Sequence, residues 1–121
     1  MLLNLSNHPS ATWSPEQLGA AQRDYGQVLD MPFPAVPPQA DLDEVRLLAE
    51  KTYIEVRRMA AQHPPLTVHL MGEMTLVYQL LDMLRDAGIP CVASTSERIV
   101  NEEADGRKVS QFRFVRFRHY F

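Results

Sequence analysis

"LTVHLMGEMTLVYQLLDMLRDAGIPCVAS", Leu66–Ser94, is the stretch that decides the fold. It opens with an apolar run of strand length and breaks at Gly72. Leu76, Val77, Leu80, Leu81 and Leu84 then recur at the three-four spacing of a helix with one buried face, and Gly88 ends that helix. A second apolar run, "IPCVAS", follows. A strand, an amphipathic helix and a strand in that order form a crossover unit, and its two strands must run parallel.

The same alternation extends towards the N-terminus. "MLLNL" is a short apolar strand, and "SNHPSATW" after it is polar and rich in turn residues. "SPEQLGAAQRDYG" reads as a helix with Ser14 as N-cap, Pro15 in the first position, Gln17 closing a capping box and Gly26 at the end. "QVLDM" is a second strand. The four prolines in residues 32–38 forbid helix and central strand, so a stiff extended loop follows. Asp41 caps a long helix, with Glu44 completing a box. Val45, Leu48, Ala49, Thr52, Val56, Met59 and Ala60 form its buried stripe, and His63-Pro64-Pro65 ends it.

Beyond Ser94, "ERIVNEEADGRKVSQFRFVRFRHY" reads as a hairpin turning at Asp105-Gly106. The order is therefore βαβαβαβ followed by ββ. The first four strands are apolar on both faces, as a sheet covered by helices requires. The expected class is α/β: a Rossmann-like three-layer αβα sandwich with a parallel four-stranded core and a C-terminal antiparallel hairpin, in one domain over residues 1–121. In "FRFVRF", Phe112 and Phe114 share one face while Val115 and Phe117 share the other. Either both faces are covered there, or a β-bulge lies near Phe114.

Composition sets bounds on function. A chain of 121 residues with 45% hydrophobic residues suits one compact domain. The one cysteine, Cys91, excludes an internal disulfide and reads as a small buried side chain. The opening residues lack the basic and apolar regions of a signal peptide, and no apolar run has membrane-spanning length. A cytoplasmic protein with no membrane partner is the expectation. Residues 107–121 carry five basic residues and no acid, whereas the rest holds seven bases and all fifteen acids. A basic strand on an acidic body suits an anionic ligand, or an edge strand that collects charge against aggregation.

In an open parallel sheet, ligands bind beyond the carboxyl ends of the strands. The candidates are then Ser6, Asn7 and His8 after strand one, and Gly72, Glu73 and Thr75 after strand three. Ser94, Thr95, Ser96 and Arg98 follow strand four. Gly72 would let a ligand approach the backbone, and the helix start behind it offers free N–H groups. Serine and threonine hydroxyls suit phosphate or ribose, and Arg98 adds charge. Each has a plainer reading: Glu73 as an acid in a first helical turn, Thr95 and Ser96 as a satisfied turn, His8 as a loop histidine. His69, inside an apolar strand, reads as a packed core histidine rather than a ligand. No dinucleotide loop, P-loop, zinc spacing or nucleophile elbow occurs, so neither a cofactor nor a metal is expected. The aromatic tail reads as core or interface rather than a platform for long nucleic acid.

The Gly72-Glu73-Met74-Thr75 helix start, "STSER" after strand four, the closing "FRFVRFRHYF" and the opening "LSNHPSATWSPEQ" together resemble a family. They are similar to the small stand-alone proteins of type III CRISPR systems related to the CRISPR-associated Rossmann fold, or CARF, domains. The resemblance implies a homodimer that binds a cyclic oligoadenylate, cyclic tetra-adenylate above all, across its two-fold axis. It implies a metal-independent ring nuclease, in which a ribose 2′-hydroxyl attacks the adjacent phosphate and antiviral signalling is switched off. His8 would then be the acid/base, with Arg98 and Arg116 stabilising charge. Two other classes stay open: a sensor or sponge that binds the ring without cutting it, and an interaction protein with no nucleotide ligand.

Overall fold

A computed structural model describes residues 1–121 as one five-stranded sheet in the order β2-β1-β3-β4-β5. The strands are β1 (Leu2–Ser6), β2 (Val28–Pro32), β3 (Thr67–Met71), β4 (Cys91–Glu102) and β5 (Lys108–His119). β1 pairs in parallel with both β2 and β3, β3 pairs in parallel with β4, and β4 pairs antiparallel with β5. The helices are α1 (Pro15–Tyr25), α2 (Leu42–Gln62) and α3 (Met74–Asp86), with a short 3₁₀ turn at Ser10–Thr12. No helix is long and apolar enough to cross a membrane.

The expected caps form the helix ends. Ser14 accepts from Gln17 N at 3.2 Å, Pro15 begins α1, and Gly26 closes it at φ 84°. Asp41 accepts from Glu44 N at 2.9 Å at the head of α2. Gly88 follows α3 at φ 72°.

Alternation along each strand sends neighbours to opposite faces. Leu3, Leu5, Val68 and Leu70 point to one side, where Val45, Ala49 and Val56 of α2 and Leu76, Leu80 and Leu84 of α3 complete the larger core. Leu2 and Val92 point to the other side, under Ala21 of α1, with Trp13, Tyr25, Val28 and Phe117 around them. The chain leaves β1 towards one edge through α1, and leaves β2 and β3 towards the other edge through α2 and α3. The order reverses between β1 and β3. A crevice opens beyond the carboxyl ends of two such strands, because their following connections part to opposite sides.

One expectation needs correction. The fourth core strand and the first arm of the hairpin are a single strand, so the sheet has five strands rather than six. Only Cys91 and Val92 pair with β3; from there to Glu102 the strand pairs with β5 alone. Because β5 supplies partners along this whole length, the chain has no reason to leave the sheet after Ala93. Ser94, Thr95, Ser96, Glu97 and Arg98 therefore lie inside a two-stranded ribbon, not in a turn after a strand. The ribbon overhangs the end of β3 at Met71 and forms a wall beside the crevice.

The slip in the aromatic pattern is a bulge. Thr95 pairs with Arg116 and Ser96 with Phe114, leaving Val115 as the extra residue. Thr95 Oγ1 donates to Arg116 O at 3.1 Å and accepts from Arg116 N at 3.2 Å, so its hydroxyl occupies the gap in the ladder. The bulge brings Phe112, Phe114 and Phe117 opposite Arg98, Ser96 and Ser94, all on the α1 side. Deleting Val115 leaves a regularly alternating strand with these phenylalanines still on that side. Urea unfolding is expected to place the deletion within about 1 kcal/mol of the parent. A loss above about 3 kcal/mol, the size of a damaged core, would show that the bulge itself holds the ribbon.

Candidate functional site

The crevice predicted by the strand order is a cleft of about 450 Å³. Its floor is the α1-side face of β1, β3 and β4: Ser6, His69, Met71 and Ser94. The loop after β1 and the head of α1 supply His8, Thr12, Trp13, Ser14 and Gln17. The ribbon supplies Thr95, Ser96, Phe112 and Phe114. Hydroxyls and two imidazoles thus alternate with three aromatic rings. No arginine or lysine lines it.

A row of polar side chains crosses the floor. Asp30 of β2, Asn4 of β1 and His69 of β3 lie in register as direct neighbours, and Ser94 lies two residues beyond the next partner, Val92, on the same face of β4. Asn4 Nδ2 donates to Asp30 Oδ1 at 2.8 Å and to His8 O at 2.8 Å. Asn4 Oδ1 accepts from Ser6 Oγ at 2.8 Å and lies 2.9 Å from His69 Nδ1; His69 Nε2 lies 3.1 Å from Ser94 Oγ. Ser10 completes the far end, with its N–H and hydroxyl on the two Asp30 oxygens at 2.9 and 2.7 Å. No buried side-chain nitrogen or oxygen lacks a partner, as an interior of low dielectric demands.

The row alters acidity. Burial alone would raise the Asp30 pKa, but the hydrogen bonds from Asn4 and Ser10 outweigh it and hold the carboxyl below its ordinary value. His69 is 2% exposed. Burial first, and the charge of His8 second, lower its pKa to about 4. Trp13 and Phe117 set their rings edge-on against it, at 5.2 and 5.6 Å between centroids. Cys91 is fully buried, and burial pushes its thiol up to about 12, so it is no nucleophile near neutrality. No three His, Cys, Asp or Glu side chains converge as metal ligands would.

The residues singled out in the sequence divide into groups. Ser6, His8, Ser94, Thr95 and Ser96 meet in the cleft, although the Thr95 hydroxyl is engaged by the bulge. Asn7 lines a smaller adjoining hollow beside Asp30 and Phe33. Gly72, Glu73 and Thr75 stand apart from the cleft. Phe33 covers Gly72 so closely that an added Cβ would lie 2.5 Å from its ring, so the close approach belongs to this chain and not to a ligand. Glu73 caps α3, accepting from Thr75 N, Leu76 N and Thr75 Oγ1 at 3.1, 2.9 and 2.6 Å. Those bonds, that of Thr75 Oγ1 foremost, lower its pKa; the anion at this helix start is the protein's own. Arg98 shares the face of Phe112 and Phe114, but its guanidinium rests on Ser110 Oγ at 2.9 and 3.2 Å. Arg116 pairs with Thr95 and points to the opposite face.

Sequence reasoning passed over Asn4 and Asp30 and read His69 as packed core. A signal was present. "LLNLS", "VLDMP" and "TVHLM" each carry one polar residue at the centre of an apolar strand. In adjacent parallel strands equal offsets become neighbours, so three such centres form a row.

Residues 1–118 match the family described as "Uncharacterized protein MJ1673 family", and the chain belongs to that family. None of the curated proteins matches the chain.

The buried row makes stability depend on acid. His69 takes a proton near pH 6.5 in the unfolded chain and only near pH 4 in the native one. The native state is therefore fully favoured above pH 6.5 and loses about 3 kcal/mol as pH falls to 4. Urea unfolding at pH 7 and pH 4.5 is expected to show most of that loss in the parent and a clearly smaller one in His69→Gln. Equal losses in both would place the acid sensitivity elsewhere.

Proposed function

We propose that the cleft binds a cyclic oligoadenylate, cyclic tetra-adenylate first, in a Rossmann-like domain of the CARF type, and that the protein cleaves the ring without a metal. The observation that carries this reading is the make-up of the cleft. It stands at the strand switch point, its volume falls within the range of small-ligand sites, and its walls alternate hydroxyls with aromatic rings. Hydroxyls and a histidine suit ribose and phosphate oxygens, and Trp13, Phe112 and Phe114 suit the faces of adenines. Linear product with a 2′,3′-cyclic phosphate end is expected, because the attacking oxygen is the ring's own 2′-hydroxyl.

One cleft is too small for a ring of four nucleotides, so two copies would share it across a two-fold axis. An apolar groove of Met71, Met74, Val77, Tyr78, Leu81 and Tyr120 adjoins the cleft at Met71, and Met74 and Tyr78 are 83% and 68% exposed. A homodimer docked through this groove would set the two clefts side by side.

The missing cation favours a second reading, binding without cleavage, because nothing in the cleft neutralises the negative charge that the phosphoryl oxygens carry in the transition state. In the cleaving reading, Arg98 leaves Ser110 to meet a phosphate.

The test uses Trp13, the chain's one tryptophan, as a reporter inside the cleft. Titrating cyclic tetra-adenylate in EDTA is expected to quench its fluorescence to saturation, with linear product on chromatography. Saturable quenching with an intact ring would select the binding-only reading. No quenching at stoichiometric protein would remove the ring as ligand. Arg98→Ala is expected to weaken binding roughly tenfold, about 1.4 kcal/mol, whereas Arg116→Ala on the far face changes it little. Equal effects would count against Arg98 as the phosphate contact.

A further inference from the structure

The hydrogen bonds across the floor of the cleft have a direction, and the chemistry of the partners fixes it. The Asp30 carboxylate and the His8 carbonyl can only accept, and both lie 2.8 Å from the same nitrogen of Asn4. Both hydrogens of the Asn4 amide are committed there. Its oxygen must then be the atom that faces Ser6 Oγ and His69 Nδ1, at 2.8 and 2.9 Å. A carbonyl oxygen cannot donate, so Nδ1 of His69 carries the hydrogen. A neutral imidazole holds one such hydrogen. Nε2 is therefore bare and accepts from Ser94 Oγ at 3.1 Å, a stronger acceptor for the one serine hydrogen than the Met71 thioether sulfur at 3.2 Å. Free histidine is under no such constraint; here a carboxylate two strands away, together with the His8 carbonyl, selects the tautomer. The edge-on rings of Trp13 and Phe117 hinder the imidazole from turning over.

We infer that Asp30, Asn4 and His69 form a directed relay that turns Ser94 Oγ into the proton acceptor of the cleft. Three parallel strands orient the relay, and the fourth presents its end to a ligand. Ser94 lines the cleft and is half-buried, whereas the imidazole behind it is buried. With its hydrogen drawn towards Nε2, the serine oxygen offers lone pairs to the cleft.

The role in catalysis rests on the cleft being the cyclic-oligoadenylate site. There the ribose 2′-hydroxyl gives its proton to Ser94 Oγ while Ser94 gives its own to His69 Nε2. The 2′-oxygen forms a bond to phosphorus, the bond from phosphorus to the 5′-oxygen breaks, and the departing 5′-oxygen takes a proton from water. His69 then returns its proton through Ser94 to the hydroxide left behind, and the enzyme is reset. Ser94 is the catalytic residue in this scheme. His69, Asn4 and Asp30 are positioning residues that act through it.

Two measurements test the relay. In ligand-free ¹⁵N-labelled protein at pH 7, long-range proton–nitrogen NMR is expected to find the His69 hydrogen on Nδ1 and none on Nε2. Asp30→Asn, which can offer a donor of its own to Asn4, is expected to lose this uniform tautomer. A hydrogen on Nε2 in the parent overturns the relay. The second measurement is Ser94→Ala with cyclic tetra-adenylate. Quenching of Trp13 should saturate within about tenfold of the parent midpoint, while cleavage at saturation falls at least about a hundredfold, as expected for loss of a general base. Unchanged cleavage by Ser94→Ala overturns the catalytic role even if the tautomer is as expected, and so does a parent that binds the ring and leaves it intact. A parent whose Trp13 fluorescence ignores the ring fails the reading of the cleft instead, and the NMR result judges the relay by itself.

Discussion

The carboxamide of Asn4 is the one group on which the rest of the site depends. It sits 1% exposed at the middle of β1, an interior strand, where a polar side chain is costly unless every bonding position is filled. All are filled: two acceptors on its nitrogen, and Ser6 and His69 on its oxygen. These bonds tie β2, β1 and β3 together across the face of the sheet and anchor the loop that carries His8. An apolar residue of the same shape would pack equally well and specify none of this. The penalty for an unpaired amide is what gives the loop after β1 one position.

Topology and chemistry meet on the same face. The connections after β1 and β3 part to opposite sides, so the floor beyond Asn4, at Met71 and Ser94, stays open while the opposite face is sealed by α2 and α3. The overhanging ribbon of β4 and β5 closes one flank. Its bulge at Val115 turns Phe112 and Phe114 towards the cleft, and Phe117 towards His69. The apolar half of the protein supplies stability, and the thinner half under α1 leaves room for a ligand. The basic residues of β5 add charge along the ribbon but do not enter the cleft. Glu97 holds Arg113, and Asp105 holds Arg107, at 2.6 and 2.7 Å. Such exposed pairs contribute little to stability.

The sequence made the layered fold legible because periodicity reports burial. The stripe of α3, the caps at Ser14 and Asp41 and the phase slip at Phe114 each matched a local physical cause. The continuity of β4 was not legible, because polar residues in a ribbon exposed on both faces look like those of a turn. Half of the candidate site could be placed in advance, since strand ends are fixed by topology. The row of Asn4, Asp30 and His69 was missed because a lone polar residue in each strand reads as an exception. Only the register, a non-local property, turns three exceptions into one network. Gly72 and Glu73 misled for the opposite reason. A helix start looks like an anion site until the neighbouring side chains are placed, and here Phe33 and Glu73 itself already occupy it.

The most direct test of this account is the stability of Asn4→Ala without ligand, measured by urea unfolding at pH 7. The substitution strands the buried His69 Nδ1–H and takes a partner from the Ser6 hydroxyl and the His8 carbonyl, which keep each other and, for the carbonyl, Trp13 Nε1 at 3.1 Å. The account predicts a loss of at least about 2 kcal/mol, together with loss of the uniform His69 tautomer. A loss below about 0.5 kcal/mol, the size of an ordinary surface change, with the tautomer intact, would contradict it.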